Sequence, residues 1–272
     1  MPTGNRQQRL GRPCLPLNLP IIQRTRTPMS QEQISLNIAR FTLLAGLAFC
    51  GAAQAELSST VALTSEYQMR GIGYSGNDPA LSATLDWYDP SGLYAGTWVS
   101  NTDSFADGDP YDDGADIEVD LYAGYNGQLQ NGMRYGVIGY YYYFPDTNYT
   151  IDYPEIGFST GYGNFNAYYY YSNDMVSTSL ESHYVAADYT FNLPLEVDLT
   201  VSAGHSFGQY YQKSDITGAH EYSNWEIAFK RTFGVFDTKV SWVDTDLSGR
   251  FHNSGEFLRN DGRFIFTVSH TF

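Results

Sequence analysis

Twelve charged side chains recur in this sequence at positions that skip a residue. They are Glu66 and Arg70, Asp86, Asp116, Glu118 and Asp120, Arg134, Asp188, Glu196 and Asp198, and Glu226 and Lys230. The residues between them are largely apolar, as with Ile117, Val119 and Leu121. An extended chain sends successive side chains to opposite faces, so this spacing puts charge on one face and apolar surface on the other. If the charged face lines a water-filled bore, its carboxylates concentrate cations and repel anions. If the interior is closed, the same charges pair and satisfy one another. Spacing alone leaves both readings open.

Other residue types that could do chemistry are sparse. The histidines are His183, His205 beside Ser206, His220, His252 and His270. A barrel that hydrolyses lipid would align Ser, His and an acid on its exterior. Here His205 shares the apolar parity and Ser206 the other, which separates them onto opposite faces. No Cys/His cluster and no phosphate-binding loop accompanies them, so no enzyme and no cofactor are expected. The segment Asn101 to Gly114 is acidic, with Asp103, Asp107, Asp109, Asp112 and Asp113. Hard oxygen ligands suit Ca²⁺ or the divalent bridges between lipopolysaccharide phosphates. The run Asp107 to Gly114 does not keep EF-hand spacing, and it reads as a solvated loop with no bound metal. The runs Tyr140 to Tyr143 and Tyr168 to Tyr171 could stack an aromatic or sugar solute, although packing along a wall explains them equally.

The elements that position these groups are strands. The last stretch, Arg263 to Phe272, places Phe264, Phe266, Val268, His270 and Phe272 on one parity and Thr267, Ser269 and Thr271 on the other. A chain that ends on such a strand has nothing to cover its edge, and its simplest partner is the chain's own first strand. A sheet closed in this way has no free edge, the condition for a sheet to sit in a bilayer. A strand of this kind ending in Phe is also what the outer-membrane assembly machinery reads in bacterial barrels.

Further alternating stretches occur near 57–70, 80–88, 93–100, 115–125, 133–144, 155–162, 165–172, 183–192, 195–207, 222–232 and 235–244, giving twelve strands in all. Short connections such as Asp89-Pro90-Ser91-Gly92 and Phe233-Gly234 alternate with longer polar ones near 71–78, 101–114, 145–154, 173–182, 208–220 and 245–262. The expected fold is therefore an all-β, antiparallel up-and-down transmembrane barrel. A soluble barrel would show the same periodicity with its apolar face inward. Export, the alternation of connection lengths, and aromatics such as Trp87, Tyr125, Tyr189 and Trp225 at the strand ends favour the membrane. The first strand is expected to run through Tyr67 and Met69, on the apolar parity, to Arg70.

Export is read from Phe41 to Cys50, an apolar run too short to span a bilayer, followed by Ala53-Gln54-Ala55 as a cleavage site. The chain thus divides into residues 1–28, an extended or misassigned start, residues 29–55, a signal peptide cleaved after Ala55, and residues 56–272, the barrel. Both cysteines, Cys14 and Cys50, precede the cut. Residues 56–272 carry 29 acidic against 9 basic side chains, a formal charge of −20, which disfavours nucleic acid as a partner. The expected partners are outer-membrane lipid and lipopolysaccharide, the assembly machinery and small solutes.

Four stretches carry a family resemblance: Ser65-Glu66-Tyr67-Gln68-Met69-Arg70-Gly71, Pro79-Ala80, Gly92-Leu93-Tyr94-Ala95-Gly96-Thr97-Trp98-Val99-Ser100-Asn101, and Glu118-Val119-Asp120-Leu121-Tyr122-Ala123-Gly124-Tyr125. In order and spacing they resemble the TorF-type porin family of proteobacterial exported proteins. Past residue 125 the match thins to Phe144-Pro145 and Tyr153-Pro154-Glu155. The resemblance implies an outer-membrane barrel assigned to passive transport, and it supplies no substrate.

Overall fold

Strict alternation of Ile117, Val119 and Leu121 with Glu118 and Asp120 suits only a pleated ribbon with unlike faces, and that segment opens a 12-residue strand, Ile117–Gln128. In the computed structural model, which describes residues 55–103, 114–145, 147, 150–213, 219–247 and 260–272, the same logic repeats along the chain. The strands are β1 (Glu56–Thr64), β2 (Gln68–Met69), β3 (Ile72–Gly73), β4 (Ala80–Tyr88), β5 (Leu93–Asn101), β6 (Ile117–Gln128) and β7 (Arg134–Tyr143). They continue with β8 (Tyr153–Tyr162), β9 (Phe165–Ser172), β10 (Ser182–Leu193), β11 (Val197–Phe207), β12 (Tyr222–Phe233), β13 (Phe236–Thr245) and β14 (Arg263–Thr271).

All except β2 and β3 join one closed antiparallel barrel, each paired with its neighbours in sequence. Closure is made by β1 against β14, with Val61 opposite His270 and Leu63 opposite Val268. Side-chain bonds between Thr60 and Thr271 (2.8 Å) and between Thr267 and Thr64 (3.0 Å) reinforce that seam, and the Phe272 N–H donates to the Ser59 carbonyl at 2.8 Å.

Exposure separates the two faces. Leu63, Leu81 and Phe264 are 56%, 59% and 62% exposed, whereas Ser100, Ser182 and Ser241 on the opposite parity are buried. A barrel with this much apolar surface outside and polar side chains inside is built for hydrocarbon. Among the described residues no helix is long and apolar enough to cross a membrane. Aromatics form belts at the two ends of the wall. Tyr169, Tyr171, His183 and Phe207 cluster at one end, and Tyr189, Phe191, Phe236 and Phe272 lie at the other.

The short turns gather at the end that holds Glu56 and Phe272, hereafter the turn end, and the long connections gather at the loop end. At the turn end Asp89 accepts the Ser91 N–H at 2.8 Å, and these bonds from Ser91 hold its carboxyl below the usual carboxylate range. One expectation fails. The first strand ends at Thr64, and residues 65–79 fold as a separate hairpin built on β2 and β3. Tyr67 and Met69 are therefore not on the lipid face. The signal-peptide segment apart from Ala55, His252, and Asp107, Asp109, Asp112 and Asp113 all lie outside the described residues.

Candidate functional site

The hairpin between β1 and β4 turns into the barrel rather than away from it. Met69 pairs with Ile72, leaving Arg70 and Gly71 as a two-residue turn, and both have positive φ, 54° and 85°. Such turns match the natural twist of a hairpin, and the second position favours glycine. Here glycine is also required by space, because a Cβ at Gly71 would lie 2.6 Å from Thr245 Cγ2 and 2.8 Å from Asn224 Cβ. Gln68 Oε1 accepts the Gly71 N–H at 2.9 Å. Ser75, fully buried, accepts the Tyr67 N–H at 2.9 Å and donates to the Asp78 carbonyl at 2.7 Å, closing the base of the hairpin.

Contacts to widely separated wall strands show that the hairpin crosses the bore. Glu66 is ion-paired to Arg263 of β14, whose Nη1 also donates to the Gly71 carbonyl at 3.2 Å. Tyr67 packs on Trp98 of β5, ring centroids 5.0 Å apart. Met69 joins Tyr142 of β7 and Tyr153 of β8. Arg70 Nη2 donates to both oxygens of Glu155 on β8 at 2.7 Å, while its guanidinium carbon sits 4.4 Å from the Tyr184 ring centroid on β10. Ile72 packs against Tyr211 and Tyr222. Twelve strands about 4.8 Å apart give a backbone radius of about 12 Å, so a two-stranded ribbon with these side chains fills much of the section.

Desolvating two ion pairs is costly unless each charge finds further partners. They do find them. Glu155 also accepts the Tyr142 hydroxyl at 3.1 Å, and Arg263 also donates to the Asp261 carbonyl at 3.0 Å.

Toward the turn end the interior is more open and keeps its charge. The Tyr122 hydroxyl donates to Asp86. Arg134 reaches Asn166 at 2.8 Å, and Asn166 donates to Asp188 at 2.9 Å. Asp198 accepts from Asn192 at 2.8 Å and lies opposite Lys230 in the ladder, and Glu226 pairs with Lys239 at 2.8 Å. Under the hairpin a cavity of ≈ 110 Å³ is lined by Gln68, Arg70, Tyr184, Ser202, Asn224 and Glu226. Among the described residues no group of three or more His, Cys, Asp or Glu could hold a metal ion.

Of the twelve charges singled out in the sequence, Asp86, Glu118, Asp120, Arg134, Asp188, Asp198, Glu226 and Lys230 stand on the inward face of strands. Glu66 and Arg70 do not line the wall: they belong to the hairpin, because the strand stops before them. Asp116 precedes β6 and is exposed, and Glu196 is exposed in the turn before β11. Missed entirely were Glu155, Arg263 and Lys239, the partners of Arg70, Glu66 and Glu226. Their alternation on β8, β14 and β13 was visible, but nothing local marks a residue whose partner lies 85 or 197 positions away. Two stretches spell Gly-x-Ser-x-Gly: Gly157-Phe158-Ser159-Thr160-Gly161, whose serine lies mid-strand in β8 between Gly136 and Tyr168, and Gly204-His205-Ser206-Phe207-Gly208. Ser206, however, is paired within β11 to Tyr184 and Tyr222 and buried inside, while His205 faces outward and contacts Ser223 at 3.2 Å, so the geometry of a nucleophile on a tight elbow is absent.

A closed up-and-down sheet with an apolar exterior and a charged interior defines a transmembrane β-barrel. Residues 49–272 match the model of a bacterial protein family of unknown function, Gcw_chp, and the chain belongs to that family. A search of curated proteins finds no match. Among solved structures, the chain is similar to the KdgM porin (10% identity, TM-score 0.45, covering 79% of this chain and 99% of that one). It is also similar to an outer membrane channel from Pseudomonas putida F1 (12%, 0.46, 79% and 95%) and to LpxR from Salmonella typhimurium (8%, 0.40, 79% and 99%).

Proposed function

We propose that the protein is an outer-membrane, porin-like channel of the TorF type that passes small solutes by diffusion, with a preference for cations, and that the hairpin of residues 65–79 is its constriction. The observation that carries this is a predominantly apolar exterior around an interior whose inward carboxylates outnumber its inward cations. Three of those carboxylates are neutralised in place: Glu66 by Arg263, Glu155 by Arg70 and Glu226 by Lys239. Of the rest, Asp86, Asp188 and Asp198 share the inward wall with Arg134 and Lys230, while Glu118 and Asp120 are buried, and the surplus of acid makes the local field favour cations. The signal peptide cleaved after Ala55, insertion guided by Phe264, Phe266, Val268, His270 and Phe272, and contact with outer-membrane lipid and lipopolysaccharide belong to the same proposal.

The rival is a structural or lipid-modifying barrel with no open pore, and it draws on the same hairpin, since a fully closed section would not conduct. Purified protein in planar bilayers separates them. A channel gives small unitary currents whose reversal potential in a KCl gradient reports cations as the main carriers. Absence of current from the wild type, with current appearing only in a variant lacking the hairpin, would leave the closed barrel.

A further inference from the structure

Four inward tyrosines lie flat on the barrel wall. Three stand in the ladder opposite a glycine, Tyr94 opposite Gly124, Tyr122 opposite Gly96 and Tyr170 opposite Gly157, and Tyr184, opposite Ser206, reaches diagonally over Gly204. A methyl group at Gly96 would come within 2.7 Å of the Tyr122 ring, at Gly124 within 2.5 Å of the Tyr94 ring, and at Gly157 within 2.5 Å of the Tyr170 ring. The glycines are therefore the floor on which the rings rest. A ring resting flat on backbone turns its other face to the bore and takes little of its width, whereas a ring standing on a larger neighbour would project edge-first. Carboxylates accompany these faces: Asp86 accepts the Tyr122 hydroxyl, and Glu155 accepts that of Tyr142.

Negative ring faces together with carboxylates recognise cations that are too weakly hydrated for bare oxygen ligands. The molecule already carries one such occupant. The Arg70 guanidinium lies 4.4 Å from the Tyr184 centroid and 5.3 Å from that of Tyr170, with Glu155 as its anion. We propose that the bore is built to pass small organic cations bearing a guanidinium or alkylammonium group, and that Arg70 fills the station beneath the hairpin as a tethered stand-in for such a solute. The inference rests on the channel reading above and names its solute class. Neutral sugars also stack on aromatic faces, but they gain nothing from the carboxylates, and the built-in occupant is a cation.

The test is the methylguanidinium to K⁺ permeability ratio, taken from bi-ionic reversal potentials in planar bilayers. The wild type should pass methylguanidinium more readily, relative to K⁺, than free-solution mobilities allow. The Tyr94→Leu, Tyr122→Leu double variant should lower the ratio about fivefold, in line with two lost cation–π contacts. The corresponding Phe variant keeps the ring faces and should keep the ratio. Equal ratios in the wild type and the Leu variant, or the same loss in the Phe and Leu variants, would overturn the inference while K⁺ over Cl⁻ selectivity left the channel reading standing. Loss of cation selectivity in the wild type itself would overturn the channel reading instead. Should the Leu variant fail to fold, block of the wild-type K⁺ current by millimolar methylguanidinium serves in its place, and no block would overturn the inference.

Discussion

Glu155 is nearly inaccessible to solvent and is held by one guanidinium, so its environment is the most sensitive single point in the interior. Removing one member of a buried pair leaves the other charge uncompensated, a loss of about 3–5 kcal/mol. Arg70→Ala should therefore lower the thermal unfolding temperature of the refolded barrel, as read by heat-modifiable mobility on gels. Arg70→Ala with Glu155→Gln should recover much of that loss, because the coupling between contacting residues is removed along with the charge. If the double variant is no more stable than Arg70→Ala, the two side chains are not partners. Gly71 gives an independent probe of the same place. Gly71→Val puts a branched side chain at φ 85° against Thr245 and Asn224, which should undock the hairpin and raise single-channel conductance without dissolving the barrel. An unchanged conductance would mean that the hairpin does not set the width of the path.

At the scale of the strand, β6 shows what register dictates. Leu121, 46% exposed, points to lipid, while Glu118 and Asp120 point inward. Leu121→Arg should impair refolding into lipid vesicles, since a charge near the midplane costs about 2–4 kcal/mol. Glu118→Gln with Asp120→Asn should leave refolding intact and lower cation over anion permeability. β14 is the other informative strand. Phe272 is 73% exposed, yet its N–H closes the seam to Ser59, and deleting it should reduce the folded yield in cells more than in vitro if the residue serves assembly.

These strands were legible because one face meets hydrocarbon and the other water, which imprints a period of two on the sequence. The hairpin was not legible, because Leu63, Tyr67 and Met69 continue that period past Thr64, so its inward-packed apolar residues imitate lipid-facing ones. Only Gly71 and Gly73, whose small size the packing requires, hinted at a turn. The inward direction of Tyr140, Tyr142, Tyr168 and Tyr170 was likewise hidden, because both faces of β7 and β9 are aromatic and the choice is settled by partners such as Gly157 across the ladder.

For the molecule as a whole, one sheet does two jobs. Closure removes every edge, so lipid meets only side chains, and the long connections at one end leave enough chain for a segment to fold back inside. The hairpin brings Glu66 and Arg70 to Arg263 and Glu155, so its inward charges cancel and selectivity is left to the wall. Width and charge are thus set by different parts, and each can be altered without the other. The most direct measurement is single-channel recording of the wild type beside a variant in which residues 65–79 are replaced by a short Gly-Ser turn. The account predicts small, cation-selective currents for the wild type and several-fold larger currents of the same selectivity for the variant. Equal conductances would contradict a hairpin-set constriction, and silence from both proteins would contradict a channel.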